Sequence, residues 1–267
     1  MKIDLQKVYD CLSWKFLNFV LTTFGFHPRW IRWVILCCST ASMTLMLNGA
    51  AFRSFRPKRG LRQGDPISPY LFILCMEVIS RLINQKVDSG QINGFKLDRH
   101  TSTLHHLFFA EDIFLMGKCT VNEGLYFKEC LDTFCSWSSQ SFNPRKSNIF
   151  FNRRASGQIL SLVSTLMGFD KISPNSSYLG LPLFRSGYAK DFYFLLEKLE
   201  FKLAGWKSRV LSKVKRMVLI KSIVISLPVY TMQSMKLPYS ICSKPDAKIR
   251  KFWWSTSSSN KTLCLKA

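Results

Sequence analysis

Acidic residues are scarce in this sequence, and that scarcity sets the first limit on what it can do. Against 38 Lys and Arg stand 16 Asp and Glu in 267 residues, a formal net charge of +22. A chain this basic seeks polyanions, nucleic acid above all. The deficit is uneven: residues 1 to 185 hold 22 basic and 12 acidic residues, whereas residues 186 to 267 hold 16 and 4, so the C-terminal third is the stronger candidate for gripping phosphate. Cysteine pairs with metal-binding spacing are missing as well. Nine cysteines are scattered without a C-x-x-C, and the close neighbours Cys37-Cys38 and Cys130 with Cys135 lack zinc-finger spacing, which implies reduced thiols in a cytosolic or nuclear protein. The start MKIDLQKVYD has no apolar core of a signal peptide, and the most apolar long stretch, Trp30 to Phe52, is broken by Arg32 and by Ser, Thr and Asn. Both features argue against secretion and membrane spanning. No internal repeat occurs, and the one biased tract is STSSSN near the end.

What is present suffices for a core, with 47% hydrophobic and 14% aromatic residues. The periodicity predicts a short strand over the first residues, a helix from Ser13 ending at Gly25, and a second helix opened by Pro28 and running to about Cys38. MTLMLNGAAFRSF, with Asn48-Gly49 at its centre, reads as a hairpin. The basic loop RPKRGLRQGDP leads into a long amphipathic helix, with Pro66 at its first position, that reaches about Val87. Strands are expected at 92 to 97, Leu104 to Ala110, Ile113 to Met116 and Asn148 to Phe151, with helices from about Val121 to Trp137 and Ala155 to Met167. The pattern is that of an α+β domain with antiparallel pairing. From Asp191 onward the signal is helical. No acid lies between Phe201 and Lys221, and helical spacing sets Lys202, Arg209, Lys213 and Arg216 on one stripe beside the apolar stripe of Leu203, Val210, Val214 and Met217.

Within this scheme the pair Glu111-Asp112 is out of place. Two carboxylates sit side by side at a tight turn between the apolar runs LHHLFFA and IFLM. Adjacent carboxylates repel unless a cation neutralises them, so a divalent metal is the natural relief. A solvated acidic turn is the competing reading.

Five segments in order now gain meaning together: KIDLQKVYD (2 to 10), RGLRQGDPISPYLF (59 to 72), FAED (109 to 112), SFNPRKSNIFF (141 to 151) and YLGLPL (178 to 183). They resemble the palm motifs of reverse transcriptases of non-LTR (LINE-type) retrotransposons, most closely the plant copies, and GWKSRVLSKVKRMVLIKSIVISLPVYTMQ with IRKFWW resembles their helical thumb. The resemblance implies a polymerase palm over 1–185, with an antiparallel sheet and packed helices, followed by a basic helical thumb over 186–267. It also implies RNA-directed DNA polymerase activity, with an RNA template, a DNA primer and deoxynucleotide triphosphates as partners and no membrane partner. Asp4, Glu111 and Asp112 match the positions that hold two Mg²⁺ ions, with Mn²⁺ as a possible substitute, for in-line attack of a 3′-hydroxyl on an α-phosphate. Lys146 matches a lysine that protonates the leaving pyrophosphate. Leu5, Tyr9, Arg59, Gly60, Arg62, Gln63 and Gly64 match nucleotide- and template-contacting positions, and Tyr9 matches the ring that excludes a ribose 2′-hydroxyl. Here the two glycines are expected to let the backbone approach the ligand. Tyr178, Leu179 and Gly180 match the primer grip, and Lys202, Arg209, Lys213 and Arg216 would face nucleic-acid backbone. A DNA target implies the nucleus.

The family pattern is FADD, whereas this chain has FAED. Glutamate adds a methylene, about 1.5 Å of reach, where Mg²⁺ tolerates oxygen distances only near about 2.0 to 2.1 Å, so impaired polymerisation is expected. The family also carries a fingers region upstream of the first motif. Its absence from this chain implies a fragment of a longer element, with the sheet edge at Ile3 left uncovered. The alternative to an impaired polymerase is a catalytically inactive nucleic-acid-binding remnant or pseudogene product.

Overall fold

The computed structural model describes residues 1–96, 98, 100–152, 155–171, 176–183, 189–204 and 211–254. It is a mixed α and β structure that divides into two compact units, Met1–Ile172 and Ser173–Ala267.

In the first unit a five-stranded sheet is ordered β4-β5-β1-β6-β7, from β1 (Lys2–Asp4), β4 (His106–Phe109), β5 (Asp112–Leu115), β6 (Asn148–Ile149) and β7 (Asp170–Lys171). Its pairs are antiparallel except β6 with β7, which run parallel, a departure from the all-antiparallel expectation. β1 lies between β5 and β6, and Ile3 is fully buried, so the edge predicted at Ile3 is an interior position. Alternation explains the burial: Ile3, Ile113 and Leu115 point into the core, while Asp4 and Asp112 lie on the opposite face. Where a strand is expected at 92 to 97, the described residues 92 to 96 form one bridge, Phe95 with Leu104, and residue 97 lies outside the described residues.

Helices pack on the buried face. They are α1 (Val8–Cys11), α2 (Trp14–Thr23), α3 (Pro28–Ser39), α4 (Ser68–Asp88), α5 (Val121–Ser138) and α6 (Gly157–Met167). Ser13 caps α2 by accepting from the Phe16 N–H, and Thr120 caps α5 by accepting from that of Glu123. α4 starts two residues later than expected. Asp65 accepts from the Ile67 N–H in a side-chain turn, which leaves Pro66 outside the helix and puts Pro69 in its first turn. Phe16, Leu17, Leu71, Phe72, Ile79, Phe127 and Phe134 fill the core between helices and sheet. The hairpin β2 (Met43–Leu47) with β3 (Ala50–Phe55) forms a separate two-stranded sheet. The eight described cysteines are free thiols, and burial pushes Cys75 and Cys135 up to about 12 and Cys130 to about 11.

The second unit contains a small hairpin, β8 (Ser177–Tyr178) with β9 (Leu181–Pro182), and the helices α7 (Tyr193–Ala204), α8 (Lys213–Leu219), α9 (Ser226–Ser234) and α10 (Tyr239–Trp254). Phe192, Leu195, Leu196 and Ile241 form its core. A π-helical turn, Ile220–Val224, joins α8 to α9. By length and composition alone the run Lys213–Ser234 is apolar enough to cross a membrane, a feature hidden in the sequence by its four basic residues and Pro228.

Candidate active site

The exposed face of the sheet brings Asp4 and Asp112 directly opposite each other on β1 and β5, so their side chains project to the same side. The two-residue turn is Ala110-Glu111, with Ala110 at φ 50, and Asp112 is the first residue of β5 rather than part of the turn. Asp4 is fixed by its backbone. Its N–H donates to Ser147 Oγ at 3.1 Å, and its carbonyl accepts from the Asn143 N–H at 2.8 Å. Glu111 contributes its backbone carbonyl, which accepts from the Leu5 N–H at 3.4 Å, while its side chain is exposed at the turn.

Two lysines neutralise the pair. Lys146 Nζ lies 3.9 Å from Asp4 Oδ2, and Lys2 Nζ lies 3.6 Å from Asp112 Oδ1. Burial nevertheless pushes the Asp4 carboxyl above its ordinary value. Lys146 opposes that shift, Asp112 adds to it, Lys2 opposes it and Glu111 adds to it. A partly buried carboxylate opposite a second one, with hard oxygen donors on one face of the sheet, fits a divalent cation. Asp4 and Asp112 therefore suit such an ion as they stand. Glu111 does not join them: among the described residues no group of three or more His, Cys, Asp or Glu is arranged to hold a metal.

Tyr9 is half-buried with its ring 5.4 Å from that of Phe72. Leu5 is buried in the core and bridges to Phe142, so its side chain is turned away from any ligand. Gly60 and Gly64 behave differently from each other. A Cβ on Gly60, at φ +91, would meet the Asp10 and Tyr9 carbonyl oxygens at 2.6 and 2.8 Å, so its backbone approaches the chain itself rather than a ligand. The Gly60 N–H donates to Leu12 O at 2.8 Å, and its carbonyl accepts from Trp14 Nε1 at 2.7 Å. Gly64, at φ +85, has open space where a side chain would be. Arg59 and Gln63 are exposed, while Arg62 pairs with Asp65 at 3.1 Å.

In the second unit Leu179 (φ 50) and Gly180 (φ 78) form the tip of the β8–β9 hairpin beside Tyr178, and Leu179 O accepts from Tyr230 Oη at 2.9 Å. The single basic stripe does not form. Lys202 belongs to α7 and Lys213 to α8, whose start is fixed by Ser212 accepting from the Lys215 N–H, so the helical phase restarts there. Arg209 lies outside the described residues. Lys202 and Lys213 are exposed, but Arg216 is only 6% exposed and donates to the carbonyls of Leu211 and Phe252 at 3.1 Å each. It serves packing within the unit rather than an open phosphate contact. Sequence reasoning missed Lys2, Asn143 and Ser147. Strand alternation, which sets residues 2 and 4 on one face, was the signal for Lys2.

Residues 1–183 match the family model described as reverse transcriptase (RNA-dependent DNA polymerase). The chain is 44% identical over 70 residues to an uncharacterized mitochondrial protein of Arabidopsis thaliana, covering 26% of this chain and 57% of that protein. It is 22% identical over 258 residues to the uncharacterized 149 kDa protein of transposon TX1 from Xenopus laevis, covering 95% of this chain and 19% of that one. It is 21% identical over 262 residues to the retrovirus-related Pol polyprotein from type-1 retrotransposable element R2 of Popillia japonica, covering 94% and 41%. The chain thus spans less than two thirds of the length of each relative.

Proposed function

Because the chain belongs to the reverse transcriptase (RNA-dependent DNA polymerase) family, in the branch carried by non-LTR retrotransposons, we propose that it is the palm and thumb of an RNA-directed DNA polymerase whose nucleotidyl-transfer centre is Asp4 with Asp112. The observation that carries this reading is the register of β1 against β5, which places the two carboxylates opposite each other beside Lys146. Two divalent ions held there, Mg²⁺ or Mn²⁺, would supply charge stabilisation of the attacking and leaving oxygens.

The remaining roles belong to the chain's own groups. Lys146, with its side chain 69% exposed, can swing from Asp4 to the leaving pyrophosphate and give it a proton. Tyr9 presents a ring braced by Phe72 under the incoming sugar, which favours a deoxyribose. Gln63 and Gly64 lie open for template and nucleotide, and Arg59 and Arg62 reach phosphate. Residues 178 to 180 hold the primer end, and Lys202 with Lys213 grips the duplex backbone from the thumb. Partners on this reading are an RNA template, a DNA primer and deoxynucleotide triphosphates, in the nucleus.

Glu111 weakens the centre. Its carboxylate, one methylene further out than an aspartate's, stands on an exposed turn, and a displacement of about 1 Å costs about 10²-fold in rate. That position favours one competing reading, a nucleic-acid-binding protein without chemistry. Primer extension on an RNA template, run beside a filter-binding salt titration, separates the two. Slow extension abolished by Asp4→Asn supports the polymerase, and steep salt-dependent binding with no extension supports the binding protein.

A further inference from the structure

Tyr9 stands on α1, a single helical turn that its own sequence does little to hold. A turn of four residues is unstable in isolation. Its N-cap, Lys7, is left-handed at φ 43 and ψ 50 and gives no side-chain cap, so the turn depends on groups brought to it from elsewhere. The segment from Ser138 to Ser147 supplies several, in antiparallel order along the chain from Ser13 back to Asp4. Ser138 O accepts from the Ser13 N–H at 2.9 Å, Gln140 Nε2 donates to Val8 O at 2.8 Å, and Ser141 O accepts from the Gln6 N–H at 2.8 Å. The same segment then reaches the backbone of Asp4 through Asn143 and Ser147, on either side of Lys146.

Gln140 differs from its neighbours in that segment. It is 4% exposed, and among the described residues it provides the one side-chain hydrogen bond to the backbone of α1. The other end of its amide is unsatisfied: Oε1 is buried with no hydrogen-bond partner among the described residues. A buried orphan oxygen costs stability that an apolar side chain of the same shape would not. Stability alone therefore does not explain a glutamine here, and the bond from Nε2 does. Val8 O belongs to the peptide group that joins Val8 to Tyr9, so the bond acts on the backbone that carries the ring. The Leu61 N–H holds the next carbonyl, Tyr9 O, at 2.5 Å, and Phe72 braces the ring itself. We propose that Gln140 is a positioning residue for Tyr9, keeping the ring at the height at which a ribose 2′-hydroxyl is refused. The inference rests on the polymerase reading, which puts that ring under the incoming sugar.

The test is equilibrium binding of dATP and of ATP, in Mg²⁺ and opposite a template uridine, to the chain on an RNA template with a DNA primer whose 3′ end lacks the hydroxyl. Affinity is then read without chemistry. The native chain should prefer dATP by about 10- to 100-fold. Gln140→Met should reduce that preference about tenfold, by tightening ATP rather than by weakening dATP, with a melting temperature near that of the native chain. Tyr9→Ala should do the same, and Gln140→Met added to Tyr9→Ala should change nothing further. A lower melting temperature with both nucleotides weakened alike would show a purely structural glutamine and overturn the proposal. Gln140→Leu removes the same donor with a different shape and replaces Gln140→Met if that variant does not fold. Native preference retained in the folded variant, or a loss that adds to that of Tyr9→Ala, overturns this inference and leaves the polymerase reading standing. A native chain that binds neither nucleotide overturns the polymerase reading and this inference with it, and one that binds both alike overturns the role of Tyr9 on which the inference depends.

Discussion

Asp4 and Asp112 face each other across adjacent antiparallel strands, and each carboxylate is approached by a lysine, Lys146 at 3.9 Å and Lys2 at 3.6 Å. Each lysine offsets the charge of one carboxylate, and both would compete with a cation at that position.

Removing one carboxylate should stabilise the metal-free fold. The Asp4 pKa is raised in the folded state, chiefly by burial, so folding favours its protonated form and the ionised form costs stability above the folded pKa. Asp4→Asn is therefore expected to be more stable than the native chain at neutral pH, with the gain shrinking as pH falls toward the ordinary aspartate value of 3.8. Thermal unfolding of both proteins between pH 3.5 and 7.5, a range of about four units in which an aspartate titrates, reads this directly. A constant difference across that range would show that the Asp4 charge does not matter.

Lys2 is expected to act as an internal counter-ion. Lys2→Met should tighten Mn²⁺ binding at the site several-fold, because the ammonium no longer competes, while lowering metal-free stability. Isothermal titration gives both the affinity and the stoichiometry. Weaker Mn²⁺ binding in Lys2→Met would mean that the lysine orders the site rather than competing for it.

Gly60 joins the loop to α1 through a backbone approach with no room for a side chain. Gly60→Ala combines φ +91 with a clash against two carbonyl oxygens, and a loss of about 2 to 4 kcal/mol is expected in denaturant unfolding. Gly64→Ala meets no neighbouring atom and carries only the left-handed strain, about 1 kcal/mol.

Glu123 was invisible as a structural anchor in the sequence. Its buried carboxylate accepts from the backbone N–H of Asn93 and Lys118 and from Asn93 Nδ2, at 3.2, 2.8 and 2.8 Å, and so fixes the segment that follows β5. Glu123→Ala leaves these donors buried and should cost about 3 kcal/mol in chemical denaturation. A loss below about 1 kcal/mol would mean that water replaces the carboxylate.

What the sequence made legible was local. Ser13 and Asn48-Gly49 announce a helix start and a turn through chemistry that acts within a few residues, and the apolar runs on either side of Glu111-Asp112 mark the two strands of the hairpin. The acid motif also singled out Asp4 and Asp112, the two carboxylates that the sheet register sets opposite each other. The missed features depend on partners far along the chain. Arg216 looks like a surface cation until Phe252, 36 residues later, offers it a buried carbonyl. Gly60 looks like a ligand-binding glycine until Tyr9 and Asp10 fold against it. The parallel β6–β7 pair has only two residues in each strand, too short for any periodicity to show.

The central claim is that this carboxylate centre is a polymerase site limited by Glu111. Primer extension on an RNA template with Mg²⁺, comparing the native chain with Glu111→Asp and Asp112→Asn, tests it most directly. The account predicts slow extension by the native chain, a rise of about 10- to 100-fold for Glu111→Asp, and none for Asp112→Asn. Extension by Glu111→Asp no faster than native would contradict it.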